Sequence, residues 1–237
     1  SILAETVIGV DGCPGGWIAV IWGPTLAHRL CPSFSDVLAL DGKTIAVDMP
    51  IGFPEQHGRS FDSAVRKILG ERRSSVFPVP SRAAVMCADY REACRVNRDH
   101  SDPPKSVGKQ CFNLFPKMRE IDALLRATPL QHRVFEAHPE VAFWAMNGRK
   151  PVKHPKKQSG RPFKPGIALR RKLLAAGGFP LAALPPLAYL KRDVAIDDLL
   201  DACACAWVAR RILRGENLRF SGEPKMDQYN LRMEINA

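Results

Sequence analysis

The chain has 237 residues, 46% hydrophobic and 25% charged, enough for a sizeable core in one or two domains and inconsistent with a disordered or low-complexity protein. No run approaches the roughly 18 to 20 apolar residues that span a bilayer, and no basic-then-apolar leader pattern opens the sequence. Lys plus Arg outnumber Asp plus Glu by 35 to 24, a formal net charge of +11 that favours polyanionic partners, with nucleic acid the expected one.

Residues 6–11, TVIGVD, form a short apolar run ending in Asp and predict a buried strand. GCPGG follows as a tight turn, and WIAVIWG at 17–23 predicts a second strand. Residues 26–32 are a candidate third strand, which makes an antiparallel meander. SFSDVLAL offers Ser33 or Ser35 as the cap of a helix. KTIAVDMPIGFP then gives another apolar strand that ends in Asp before a Pro/Gly turn.

Residues 58–130 read as a largely helical insertion, with helical spacing near 60–70, 82–96 and 107–126. RVFEAHPEVAF, over about 133–143, predicts a further strand. Residues 149–172 hold ten Lys/Arg and no Asp or Glu, and the Pro- and Gly-rich first part (about 149–166) reads as an exposed, mobile loop. Such a block is either a solvated loop or a contact to phosphate backbones. ALRRKLLAAGG predicts a helix closed by Gly. AIDDLLDACACAWVARRILRG is the clearest helix, with acids in its first turns, Arg in its last and a final Gly. No internal repeat is visible, and the whole chain reads as a single α/β domain with a mixed sheet covered by helices.

The chemistry is carried by acids at separated positions. Asp11 and Asp48 each end an apolar strand at a Pro/Gly turn, and ligands of open α/β sheets bind outside such strand ends. Glu136 follows the start of another strand, while Asp197, Asp198 and Asp201 open the long helix with spacings that share a face. Carboxylates gathered closely need a counter-cation, and Mg²⁺ or Mn²⁺ suits oxygen ligands. Two such ions would clamp the attacking and leaving oxygens of a phosphodiester and activate a water, with no Ser, Cys or His nucleophile. Duller roles exist for each residue: turn formation for Asp11 and Asp48, a helix cap and a dipole partner for Asp197 and Asp198, the favoured reading for Asp197, and an ion pair with Arg133 or a Lys for Glu136. Asp201 lies too deep in its helix for capping.

Other candidates surround this set. Arg59, Ser75 and Arg82, in the polar stretch RSFDSAVRKILGERRSSVFPVPSR, are the preferred anion contacts, joined by Gln110 and Lys117 on the next predicted helix. His138 stands two residues after Glu136, on the same face of a strand, as a general acid or a carboxylate's support. Against that stands the commoner role of a hydrogen-bonded structural histidine. The seven cysteines, at 13, 31, 87, 94, 111, 203 and 205, show no zinc spacing, so reduced thiols in a cytoplasmic compartment are expected. Cys203 and Cys205 point to different helix faces and read as small core residues. Trp17, Trp22, Trp144 and Trp207 read as core or near-core packing, with no aromatic-basic platform for stacking bases.

The stretches GVDGCPGGWIAV, IAVDMPIGFP, RSFDSAVRKILGERRSSVFPVPSR, QCFNLFPKMREID, VFEAHPEVAFW and DDLLDACACAWVA, covering most of residues 7–210, resemble the domain-of-unknown-function family 429, predicted ribonuclease H-like nucleases. The resemblance implies a ribonuclease H-like mixed sheet flanked by helices and a metal-dependent nuclease. It aligns Asp11 with the family's first metal ligand, Asp48 with the second, and Asp198 and Asp201 with the acids of the final helix, with Glu136 as a ligand or a supporting acid. Many nucleases of this fold carry Glu where this chain carries the shorter Asp48, which leaves the number of ions open. The leading expectation is a metal-dependent phosphodiesterase acting on nucleic acid. The alternatives are a non-catalytic nucleic-acid-binding or regulatory protein and a nucleotide or small-molecule phosphohydrolase. An ATP-using phosphotransferase is disfavoured, because no P-loop and no second copy of the first-strand motif are present.

Overall fold

The computed structural model describes residues 5–237. Its centre is a five-stranded sheet. Strands β1 (Val7–Cys13), β2 (Gly16–Trp22) and β3 (Leu26–Cys31) form the expected antiparallel meander. Gly16 makes the first turn possible: its φ is +128°, and a Cβ there would lie 2.4 Å from the Cys31 carbonyl oxygen. Helix α1 (Phe34–Leu38) starts at Ser33, whose side chain accepts from the Asp36 N–H. Strand β4 (Thr44–Asp48) then returns parallel to β1, and β5 (Val134–Glu136) lies parallel to β4. The strand order is β3-β2-β1-β4-β5.

The segment between β4 and β5 is helical, as its spacing predicts. It holds α2 (Asp62–Ile68), a 3-10 turn over Gly70–Ser75, α3 (Arg82–Val85), α4 (Tyr90–Asp99) and α5 (Lys109–Ala127). The helix expected over 82–96 is two helices, because the Asp89 carboxylate accepts from the Glu92 N–H and starts a new one. The strand expected over 133–143 is corrected more sharply. It stops at Glu136, and helix α6 (Pro139–Met146) follows, with His138 as its cap and Pro139 in its first turn. Short apolar runs do not separate buried strand from buried helix, and here proline's preference for a helix start decides.

The basic block is not an open loop throughout. It contains a small hairpin, β6 (Lys157–Gln158) with β7 (Arg161–Pro162), and the start of α7 (Lys164–Ala176). Helix α8 (Ile196–Arg214) ends at Gly215 as its sequence predicts. A closing hairpin, β8 (Arg219–Met226) with β9 (Arg232–Asn236), has no clear signal in the sequence. Strand β9 reaches the main sheet through Ala137, and the Asn236 amide donates to the Glu136 carbonyl at 3.0 Å.

Alternation along the strands sends side chains to two separate cores. Ile8, Val10, Ile45 and Val47 pack with Phe34, Phe115 and Ile121 on the α1/α5 side. Val7, Ile18, Val20 and Ala46 pack with Phe143, Leu174 and the body of α8 on the other. Trp17, Trp144 and Trp207 are buried, as expected of packing residues. Cys203 and Cys205 are fully buried small core residues. Among the described residues, no helix is long and apolar enough to cross a membrane.

Helix α8 sits unusually close to β1. A Cβ on Gly9 would lie 2.0 Å from the Ala206 nitrogen and 2.1 Å from the Ala202 oxygen, so strand and helix backbones touch. The run Ala202-Cys203-Ala204-Cys205-Ala206 supplies only small side chains, which permits this approach. Gly9→Ala is therefore expected to cost about 3 kcal/mol, the upper range of overpacking, read as a lowered denaturation midpoint in urea.

Candidate metal centre

Three elements converge on one point. In the parallel β1–β4 register, Asp11 is paired directly with Asp48. Both lie two residues beyond a residue that faces α8, Gly9 and Ala46, so alternation aims both carboxylates at that helix. Asp201 precedes Ala202, one of the two α8 residues against Gly9. One carboxylate oxygen from each of Asp11, Asp48 and Asp201 lies within 4.8 Å of the others. Asp11 is 8% exposed and Asp201 2% exposed.

This geometry is electrostatically costly without a cation. Burial, followed by the charges of Asp48 and Asp201, raises the Asp11 carboxyl well above the ordinary carboxylate range. Burial and Asp48 push Asp201 up to about 6, against the pull of Lys156. Among the described residues, no hydrogen bond or ion pair engages the Asp11 carboxylate. A nearly buried, unpartnered acid beside two others fits a hard divalent cation with oxygen ligands, Mg²⁺ or Mn²⁺.

Two lysines of the basic block belong to this site, and sequence reasoning missed both. Lys156 Nζ forms an ion pair with Asp201 and lies 3.8 Å from Asp197, and Lys157 Nζ is 2.9 Å from Asp197. Burial alone would lower the Lys156 ammonium, but Asp201, Asp11 and Asp197 outweigh it and hold it above its usual range. The block's composition shows many cations and gives no sign of which ones fold inward.

The acids at the start of α8 exchange their expected parts. Asp198, aligned as a metal ligand, instead accepts the Ala195 N–H at 3.0 Å and caps the helix outside the three-carboxylate group. Asp197, expected to cap, is 1% exposed and bound by the two lysines, with one carboxylate oxygen lacking a hydrogen-bond partner.

Glu136 is in the cavity wall but is already committed. It accepts two hydrogen bonds from the Arg59 guanidinium, at 2.6 and 2.8 Å, and one from the Ile51 N–H at 2.8 Å. It pairs with neither Arg133 nor a Lys; it fixes the loop after β4. This corrects the expectation for Arg59: its other contacts are Asp62, the Ile51 carbonyl and the Phe61 ring, so its charge is already matched by two acids of the fold. Arg82 is corrected in the same way. It is buried between Asp122 and Asp227, under the ring of Tyr229, away from the three acids.

His138 caps α6 rather than facing out from a strand beside Glu136. Its Nδ1 accepts from the Glu140 N–H, and its Nε2 donates to the Ser75 carbonyl at 2.9 Å. Both ring nitrogens are thus occupied, which suits a structural clip and not an acid catalyst. Lys117 crosses Gly12, where a Cβ would meet its Cδ at 2.9 Å, and its Nζ stands 5.1 Å from the Trp17 ring centre. That places the Lys117 side chain beside the residue that follows Asp11.

Two adjoining cavities open at the acids and share Asp48, Ser75, Phe77, Leu114 and His138. One, of about 150 Å³, continues to Asp11, Met49, Val79 and Glu136. The other, of about 260 Å³, continues to Ser74, Gln110, Lys156 and Asp201. Ser75 and Gln110 therefore line the cleft.

Because Asp11 and Asp201 hold protons more tightly folded than unfolded, their stabilising contribution is complete below the unfolded value of 3.8 and disappears as pH rises through the folded values, about 6 for Asp201 and well above the ordinary carboxylate range for Asp11. The melting temperature without divalent ions is expected to fall across that window, and the rise in melting temperature caused by Mn²⁺ to grow across it. Asp11→Asn is expected to raise the metal-free melting temperature and to remove the Mn²⁺-dependent rise. Lys156→Met, which removes a competing cation, is expected to tighten Mn²⁺ binding about tenfold, measured by titration calorimetry.

No curated protein and no solved structure matches the chain. The family model described as "Protein of unknown function (DUF429)" matches residues 9–226. That match covers most of the 237 residues, and the chain belongs to this family.

Proposed function

We propose that the protein is a divalent-metal-dependent phosphodiesterase acting on nucleic acid. The observation that carries this reading is the convergence of Asp11, Asp48 and Asp201 from two parallel strands and a helix. The mixed sheet, with antiparallel β2 and parallel β4 and β5 around β1, is compatible with a ribonuclease H-like fold.

Asp11, Asp48 and Asp201 would hold the ion. Bound Mg²⁺ or Mn²⁺ supplies Lewis-acid activation of the phosphodiester and of a water. Lys156 and Lys117 offset charge that develops on the phosphate oxygens. Asp197 keeps Lys156 and Lys157 turned toward the site. Glu136, through Arg59 and Ile51, fixes the loop that carries Asp48 into the cleft. Arg149, Lys150, Lys153, Arg161 and Lys164 are exposed, as Lys157 is, around the inward Lys156 and would contact neighbouring phosphates. That exposed strap favours a polymer over a small phosphoester, which the same acids would also serve. A non-catalytic binding protein would keep the strap and show no turnover.

Incubation of labelled single-stranded and duplex DNA and RNA with Mg²⁺ or Mn²⁺ is expected to give cleavage that Asp11→Asn reduces at least a hundredfold. Binding of the same strands is expected to weaken at least tenfold between about 50 and 200 mM salt. Binding without cleavage in either metal would point to the non-catalytic protein. Binding that ignores salt would remove nucleic acid as the substrate.

A further inference from the structure

The two halves of the cleft differ in chemistry. The half beyond Asp48 toward Asp201 holds the one lysine of the cleft, Lys156, beside the acids Asp201 and Glu140, with Ser74 and Gln110 also in its lining. The half toward Asp11 is walled by Met49, Val76, Val79, Leu114 and Ile235. Its charged back wall, Glu136 with Arg59, is mutually neutralised by two hydrogen bonds and shut by the Ile51 contacts. A phosphate entering this half would meet the Asp11 and Asp48 carboxylates and, in the lining, no cation beyond the paired Arg59.

The size narrows the occupant. About 150 Å³ is the share of roughly five waters and lies below the roughly 300 Å³ where pockets for drug-sized ligands begin. It suits a single flat, neutral group with apolar faces and polar edges. Phe77, half-buried, lines both cavities. A base attached to a phosphate at the acids would enter this half while its phosphate stays with the ion and the lysines.

We infer that the apolar cavity beside Asp11 takes one unpaired nucleobase, so that the substrate presents a single-stranded, terminal or flipped-out nucleotide at the reacting phosphate. This rests on the phosphodiesterase reading for its substrate class. A stacked base pair has no room in the cavity, so a duplex must first release the base.

Titration calorimetry with Mn²⁺ present, comparing nucleoside 5′-monophosphates with ribose 5-phosphate, tests the cavity without requiring cleavage. The nucleotides are expected to bind at least tenfold tighter. Leu114→Trp and the exposed Ser75→Trp, each of which puts a large ring on a residue that lines the cavity, are expected to erase that preference and leave Mn²⁺ affinity unchanged. Melting curves establish that each variant is folded, and the surface position of Ser75 keeps the test available should Leu114→Trp fail to fold. Equal binding of nucleotide and sugar phosphate, or binding of neither, overturns the inference. So does a preference that survives both folded variants. Nucleotide preference in a protein that cleaves no nucleic acid would sink the phosphodiesterase reading and leave the base pocket standing.

Discussion

The site depends on the backbone contact between β1 and α8. At Gly9 the helix approaches so closely that a methyl group would overlap Ala202 and Ala206. That approach carries Asp201 down onto Asp11, and the parallel register of β1 and β4 adds Asp48. The separation of three mutually repelling carboxylates is thus set by main-chain packing, which side-chain relaxation cannot undo. Helix α8 is buried along its first half, so Asp201 cannot swing to water. Function of this kind is bought with stability, a common feature of sites built for a missing charge.

Around this centre the remaining buried charges are paired with care. Arg59 bridges Glu136 and Asp62, Arg82 bridges Asp122 and Asp227, and Arg170 holds Glu140 with two hydrogen bonds of 2.9 Å. Breaking one of these pairs would leave an uncompensated buried charge. The contrast is informative. The buried structural acids Asp62, Asp122, Glu136, Glu140 and Asp227 each have an arginine; among the described residues, Asp11 and Asp48 have none. Lys156, flexible and single-charged, is the exception at Asp201, and it can leave where a bidentate arginine would not.

Much of this was legible in the sequence for physical reasons. Asp11 and Asp48 announce themselves because apolar strands end at them and Pro/Gly turns follow, and Asp201 lies too deep in α8 for a cap. Sequence alone puts the roles of Asp197 and Asp198 the wrong way round, since either can cap and only the helix's rotation about its axis decides. Arg59 and Arg82 look like free cations in sequence, because their carboxylate partners Glu136, Asp122 and Asp227 lie 40 or more residues away. Lys156 is hidden among ten similar charges. The His138 assignment failed with the strand that carried it: once Pro139 opens a helix, the residue before it becomes a cap. The β8–β9 hairpin lacks the alternating apolar pattern that would have marked β8, whose residues are mostly exposed.

The central claim is that Asp11, Asp48 and Asp201 together hold a divalent cation. Anomalous diffraction from a crystal soaked in Mn²⁺ tests it most directly. The account predicts a peak bonded to an oxygen of each of the three carboxylates, with the Lys156 ammonium displaced from Asp201. A crystal with no peak there, or with Mn²⁺ bound only at surface acids while Lys156 keeps its ion pair, would contradict it.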